Sequence, residues 1–218
     1  MKTGLIVFDL DGTLIDTIQD ITNAVNHGLM SFGFRQLSVG ETRNMVGEGV
    51  TRLMEKALPA GGLHHKEEAI RRFLEYYAAH LTDNSLEYPF VRETLDKLNC
   101  CRKAILSNKT EMLSRKILEK TGFAKYFEMI TGGDTLKEKK PSPVPLLHIL
   151  SVLGFSPAES VMVGDSPYDI GAGKMAGVKT VGVTYGYGEL KSLRDADYLI
   201  NDIRELIPLL VKINEKPE

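Results

Sequence analysis

Cysteine is scarce in this 218-residue chain, where Cys100 and Cys101 are the only two. Adjacent thiols would close a strained ring if they bonded, and they offer no metal-ligand spacing, so both read as ordinary thiols near a strand. A basic excess is missing too: 27 Lys and Arg stand against 29 Asp and Glu, a formal charge of −2. With no surplus to neutralise phosphates along a duplex, nucleic acid is not an expected partner. No apolar run is long enough to span a bilayer, and the run after Lys2 is too short for a signal peptide and is cut off by Asp9. The expectation is a cytoplasmic, soluble protein with small-molecule partners and no membrane attachment, its oligomeric state left open. No strand is followed by GxGxxG or GxxxxGK[ST], which disfavours dinucleotide and P-loop binding. The five His residues show no HExxH pattern, and His64-His65 sit in a Gly-rich turn as solvated groups. There is no 20–50-residue repeat and no low-complexity tract.

What is present is organised around Leu5-Ile6-Val7-Phe8-Asp9-Leu10-Asp11-Gly12-Thr13-Leu14. Four apolar residues in a row read as a fully buried, parallel strand that runs straight into two carboxylates spaced i, i+2. Open α/β sheets hold their ligands at the carboxyl ends of strands, and Gly12 allows the sharp turn there, so Asp9 reads as a nucleophile. From Ile15 to about Ser85 the pattern is helical, with no convincing strand. Asp16 or Thr17 caps a helix whose stripe is Ile18, Ile21, Val25, Leu29 and Phe32, ending near Gly33. Helices follow over Val39–Val46, Val50–Leu58 and Lys66–His80.

From Tyr88 onward strands and helices alternate. Strands are expected at Lys103–Ser107, Met129–Thr131, Ser160–Gly164, Lys179–Val183 and, at the edge, Tyr198–Ile200. Helices are expected over Val91–Leu98, Glu111–Lys120, Val144–Leu153, Ile170–Ala176 and Ile203–Lys212, with a polar tail from Asn214 to Glu218. The fold class is α/β, a doubly wound parallel sheet with an inserted helical unit, the core made of 1–14 and 86–218 and the insert of 15–85.

Three more constellations stand at strand or loop ends, each with an ordinary structural reading beside a chemical one. Ser107-Asn108-Lys109-Thr110 closes the second core strand, where a serine serves as a helix cap or as a holder of a phosphoryl oxygen. Lys137, Lys139 and Lys140 precede Pro141-Ser142-Pro143, either a solvated basic loop or the source of an ammonium aimed into the site. Val163-Gly164-Asp165-Ser166-Pro167-Tyr168-Asp169 ends another buried strand in acids, either as an Asx-type turn or as a ligand set.

In their chain order these four motifs resemble those of the haloacid dehalogenase-like hydrolases, mostly magnesium-dependent phosphatases, and the resemblance spans the chain. It implies a Rossmann-like strand order 3-2-1-4-5-6 with a crevice beside the first strand. It implies Asp9 as nucleophile, Asp11 as proton shuttle, and Ser107 with Asn108 as phosphate holders. Lys140, favoured over Lys139 by spacing, offsets negative charge. Mg2+ is held by Asp9, the carbonyl of Asp11, and Asp165, with Asp169 supporting ligands or Lys140. The family's dehalogenases lack the second acid and need no metal, and its mutases commonly carry a hydrophobic residue at the place of Thr13. A Schiff-base role for Lys56, as in its phosphonate hydrolases, competes with a solvated helix lysine.

The helical insert falls where the family places a mobile cap, pivoting near Leu14–Asp16 and Asp83–Tyr88. Val46-Gly47-Glu48-Gly49 permits close approach to a ligand, with Arg43 or Arg52 pairing a carboxylate. Equally, the glycines merely separate two helices and the arginines are solvated. Residues Asn44–Val50 and Leu53–Leu58 are similar to phosphoglycolate phosphatases, so the expected substrate is a small phosphorylated metabolite, phosphoglycolate first. Pyrophosphatase, nucleotidase, sugar-phosphate phosphatase or phosphomutase activity is the alternative, and a catalytically silent phosphate-binding module is disfavoured by the intact motifs.

Overall fold

The computed structural model describes residues 2–215. Six parallel strands form its sheet: β1 (Leu5–Phe8), β4 (Arg102–Leu106), β5 (Met129–Thr131), β6 (Ser160–Gly164), β7 (Lys179–Val183) and β8 (Tyr198–Ile200). Their order across the sheet is β5-β4-β1-β6-β7-β8. Numbering only these six, that is the expected 3-2-1-4-5-6.

β1 is central because all four of its side chains are fully buried. They alternate in direction as a pleated strand requires. Ile6 and Phe8 join one apolar cluster with Leu95, Ile117 and Phe123, while Leu5 and Val7 join the other with Leu146, Ile149 and Met162. Each such burial is worth roughly 1.5–3 kcal/mol, so this strand tolerates no polar residue until it leaves the sheet. The register then aligns the strand ends. Phe8 sits opposite Ile105 on one side and Val163 on the other, and the Asp9 N–H donates to the Val163 carbonyl at 2.9 Å. Asp9, Ser107 and Asp165 therefore leave the sheet along one edge.

Helices flank the sheet: α5 (Val91–Lys97), α6 (Glu111–Lys120), α7 (Val144–Leu153), α8 (Pro167–Met175) and α9 (Leu206–Glu215). α8 begins three residues before the expected Ile170. Ser166 and Asp169 form a capping box and Pro167 takes the first helical position, where its missing N–H is no loss. The expected polar tail is also shorter. Asn214 and Glu215 belong to α9, where Asn214 Oδ1 accepts the Thr3 N–H at 2.7 Å, and residues 216–218 lie outside the described residues.

Between β1 and α5 the chain makes α1 (Ile18–Met30), α2 (Val39–Arg43), α3 (Val50–Ala57) and α4 (Lys66–Ala79). α1 buries Ile18, Ile21, Val25 and Leu29, the stripe expected of it, and packs chiefly on α4. One expectation is corrected here. Ile15–Asp16 (β2) is a short strand, paired antiparallel with Leu86–Glu87 (β3), and the Tyr88 N–H donates to the Leu14 carbonyl at 3.1 Å. Two residues are too few for alternation to register in the sequence. The outgoing and returning chains thus lie side by side.

Candidate active site

The aligned strand ends and the helical segment enclose a crevice of about 450 Å³ whose lining includes Asp9, Asp11, Ser107, Lys140 and Asp165. Its floor is an ion network. Lys140 Nζ donates to Asp9 Oδ1 at 2.6 Å, Asp169 Oδ1 at 2.6 Å and the Leu106 carbonyl at 2.7 Å, which uses all three of its protons. Burial pulls Lys140 down, but Asp169 and Asp9 outweigh it and hold the ammonium charged. Lys139 goes elsewhere, donating to the Glu48 carbonyl.

Asp169 is fully buried and both its oxygens are committed. Oδ1 accepts from Lys140, and Oδ2 accepts from the Ser166 N–H at 3.0 Å and hydroxyl at 2.5 Å. The box that starts α8 thereby also aims the lysine. Asp9 keeps one oxygen unengaged, since among the described residues only its Oδ1 accepts a hydrogen bond.

Asp9, Asp165 and Asp169 place carboxylate oxygens within 4.8 Å of one another. One ammonium among three buried acids leaves a deficit of positive charge. Desolvation, with Asp169 and Asp165 adding to it, raises the Asp9 carboxyl well above its ordinary value. Burial, then the Asp169 charge, pushes Asp165 up to about 7. An all-oxygen set short of a cation fits a hard divalent ion such as Mg2+. Asp165 is held in place by the Tyr187 N–H, which donates to its Oδ2 at 2.6 Å. Gly12, at φ +85°, passes so close that a Cβ there would stand 2.2 Å from the same oxygen.

Asp11 points away from this cluster, so that only its backbone carbonyl is left for the expected ligand role. Its Oδ1 accepts from the Thr17 hydroxyl at 2.5 Å and from Lys109 Nζ at 2.6 Å. Lys109 also donates to the Tyr77 hydroxyl at 2.7 Å, and burial pushes that phenol up to about 12. No site role was expected of Lys109, Tyr77, Thr17 or Tyr187. Tyr77 lies within the expected Lys66–His80 helix with nothing in its sequence to single it out, Thr17 reads only as a cap, and only the fold brings them together. Lys109, beside Ser107 and Asn108 at a strand end, was the one with a visible signal.

Ser107 is buried and its Oγ accepts the Lys109 N–H at 3.2 Å, so its own proton is uncommitted among the described residues. Asn108 Nδ2 donates to the Gly47 carbonyl at 2.8 Å and the Lys140 carbonyl at 3.0 Å. Gly47 therefore does approach the crevice. Arg43 lines it, its guanidinium 5.6 Å from the centre of the Tyr187 ring. Arg52 is not brought there: it is exposed and pairs with Glu55 at 2.7 Å on the outer surface. Lys56 likewise pairs with Glu48 at 2.5 Å and is not part of the crevice lining.

The family model that matches the chain, over residues 6–183, is that of the haloacid dehalogenase-like hydrolases. A phosphoglycolate phosphatase of Chromobacterium violaceum is 38% identical over 213 residues, covering 94% of this chain and 95% of its own. One from Aquifex aeolicus is 38% identical over 208 residues, covering 94% and 96%. The crystal structure of a predicted phosphoglycolate phosphatase from Haemophilus somnus superposes with a TM-score of 0.89 at 29% identity, covering 96% of this chain and 98% of that one.

Proposed function

From the premise that this chain belongs to the haloacid dehalogenase-like hydrolases and is a phosphatase, we propose that it hydrolyses a small phosphomonoester through an aspartyl-phosphate, with phosphoglycolate as substrate. The observation that carries the reading is Asp9: a buried carboxylate at the end of the central strand, one oxygen fixed by Lys140 and the other open to the crevice. Phosphoglycolate as the substrate rests on the relatives of that name.

Asp9 Oδ2 attacks phosphorus and Asp11 protonates the departing alkoxide, then Asp11 takes a proton from the water that opens the aspartyl-phosphate. Ser107 donates its free proton to a phosphoryl oxygen. Lys140 offsets the negative charge that would otherwise repel a phosphate dianion from a carboxylate. Asp9, Asp165 and the Asp11 carbonyl would hold Mg2+, which when bound supplies the rest of that charge neutralisation. Asp169 keeps Lys140 directed. Arg43 stands at the wall where an anion enters, and Arg52 has no part.

Residues 15–85 act as a cap over the core of 1–14 and 86–218, pivoting on the paired strands β2 and β3. Among the described residues no helix is long and apolar enough to cross a membrane, and a cytoplasmic location is part of the proposal.

The test is phosphate release with and without Mg2+ across phosphoglycolate, pyrophosphate, sugar phosphates and nucleoside monophosphates. A metal-dependent preference for phosphoglycolate is expected, and Asp9→Asn should abolish it. Normal turnover by Asp9→Asn would rule the scheme out. Broad metal-dependent release without preference would retain the chemistry and discard the substrate.

A further inference from the structure

We infer that Lys109, together with the Tyr77 hydroxyl, is the specificity element that receives the carboxylate of the substrate; this rests on the phosphoglycolate reading and names how that substrate is told from other esters. Lys109 is the second buried cation of the crevice. Its side chain is 8% exposed, whereas Lys140, the first, has no proton left to give. An ammonium has three N–H donors. Those of Lys109 reach Asp11 and Tyr77, and among the described residues the third has no protein acceptor. A charged donor held out of water with one direction open is a place for an anionic acceptor.

Its position selects which anion. Asp11 delivers a proton to the leaving oxygen, and Lys109 Nζ lies 2.6 Å from an Asp11 oxygen. In phosphoglycolate the carboxylate is bonded to the very carbon that carries that leaving oxygen. An ammonium touching the proton donor therefore faces the carboxylate of a two-carbon acid. The other cations near the crevice stand at its wall, Arg43 beside the Tyr187 ring and Lys139 on the Glu48 carbonyl, and neither touches Asp11. Tyr77 comes from α4, so the recognition pair is completed across the boundary between helical insert and sheet. Tyr77 lies under the ammonium as well, with Nζ 4.8 Å from its ring centre.

The test compares phosphoglycolate with ethyl phosphate, its analogue without the carboxylate, on wild type, Lys109→Met, Lys109→Arg and Tyr77→Phe. Removing a buried charged partner is expected to lower kcat/KM for phosphoglycolate roughly 100-fold more than for ethyl phosphate in Lys109→Met, the difference lying mainly in KM, while whatever is lost through the Asp11 contact falls on both esters alike. Lys109→Arg should recover part of the preference, and Tyr77→Phe should lose about 3- to 10-fold on phosphoglycolate alone. An equal fall on both esters would overturn the inference and make Lys109 a positioning residue for Asp11. If Lys109→Met does not fold, an unchanged ester preference in Tyr77→Phe overturns it. A wild type that does not prefer phosphoglycolate overturns the substrate reading itself, which separates the two failures.

Discussion

At the residue scale, Asp165 ties stability to pH. In the unfolded chain it titrates at its ordinary value of 3.8, while burial in the fold pushes it up to about 7. Between these values the unfolded chain gives up a proton that the folded protein keeps, so metal-free protein loses stability as pH rises through that window. Denaturant unfolding in chelator at about pH 4.5 and about pH 7.5 measures it. Asp165→Asn carries no charge and is expected to flatten the slope, to be the more stable protein at the higher pH, and to gain less than wild type from added Mg2+. An unchanged slope would contradict the assignment. Asp165 was legible in the sequence because an acid at the end of an apolar strand is conspicuous. Tyr187, which fixes Asp165 through a backbone N–H, was not: any residue but proline donates that bond, so its identity leaves no trace.

At the scale of elements, the helical segment is tied to its own return path by Asp20 on α1. Its carboxylate is buried and accepts from the Asn84 N–H at 3.0 Å, the Asn84 amide at 2.8 Å and the Ser85 hydroxyl at 2.6 Å. Asp20→Ala removes a charged acceptor and strands these donors, at an expected cost of about 2–4 kcal/mol. Urea unfolding checks this, and a change below about 0.5 kcal/mol would count against it. The six core strands and α6 and α7 were readable because continuous apolar runs and 3.6-residue spacing are local signals. The ribbon of β2 and β3 was hidden because its pairing joins residues about seventy positions apart, and neither strand is long enough to have a period. The early start of α8 followed from side-chain capping chemistry that was present in the letters but outweighed by the acid motif.

At the scale of the molecule, the helical segment leans on the sheet edge through its Gly47–Gly49 loop. Gly47 accepts from Asn108, and a Cβ on Gly49, at φ +84°, would stand 3.0 Å from the Asn108 carbonyl. Gly49 has φ +84° with ψ 171°, a backbone conformation that essentially only glycine adopts, so Gly49→Ala brings a penalty of about 1–3 kcal/mol that is relieved by reshaping and lifting the loop. If closure is coupled to binding, KM for phosphoglycolate should rise about 5- to 30-fold. Steady-state kinetics test this, and an unchanged KM would show that the loop does not gate the crevice. The larger arrangement was legible as a strand order. The side-chain traffic between the two halves was not, because Lys109 and Tyr77 come from segments that no periodicity relates.

The hydrogen-bonded ribbon that joins Ile15–Asp16 to Leu86–Glu87 has a consequence for ancestry. Exit and re-entry are adjacent, so the excursion between them adds nothing to the wiring of the sheet. One recombination event could trade it for another while every strand kept its neighbours. The ribbon is a grafting point: a chimaera joined there would keep the host's strand ends, with Asp9, Ser107, Lys109 and Asp165, and change only the wall that residues 17–85 contribute to the crevice.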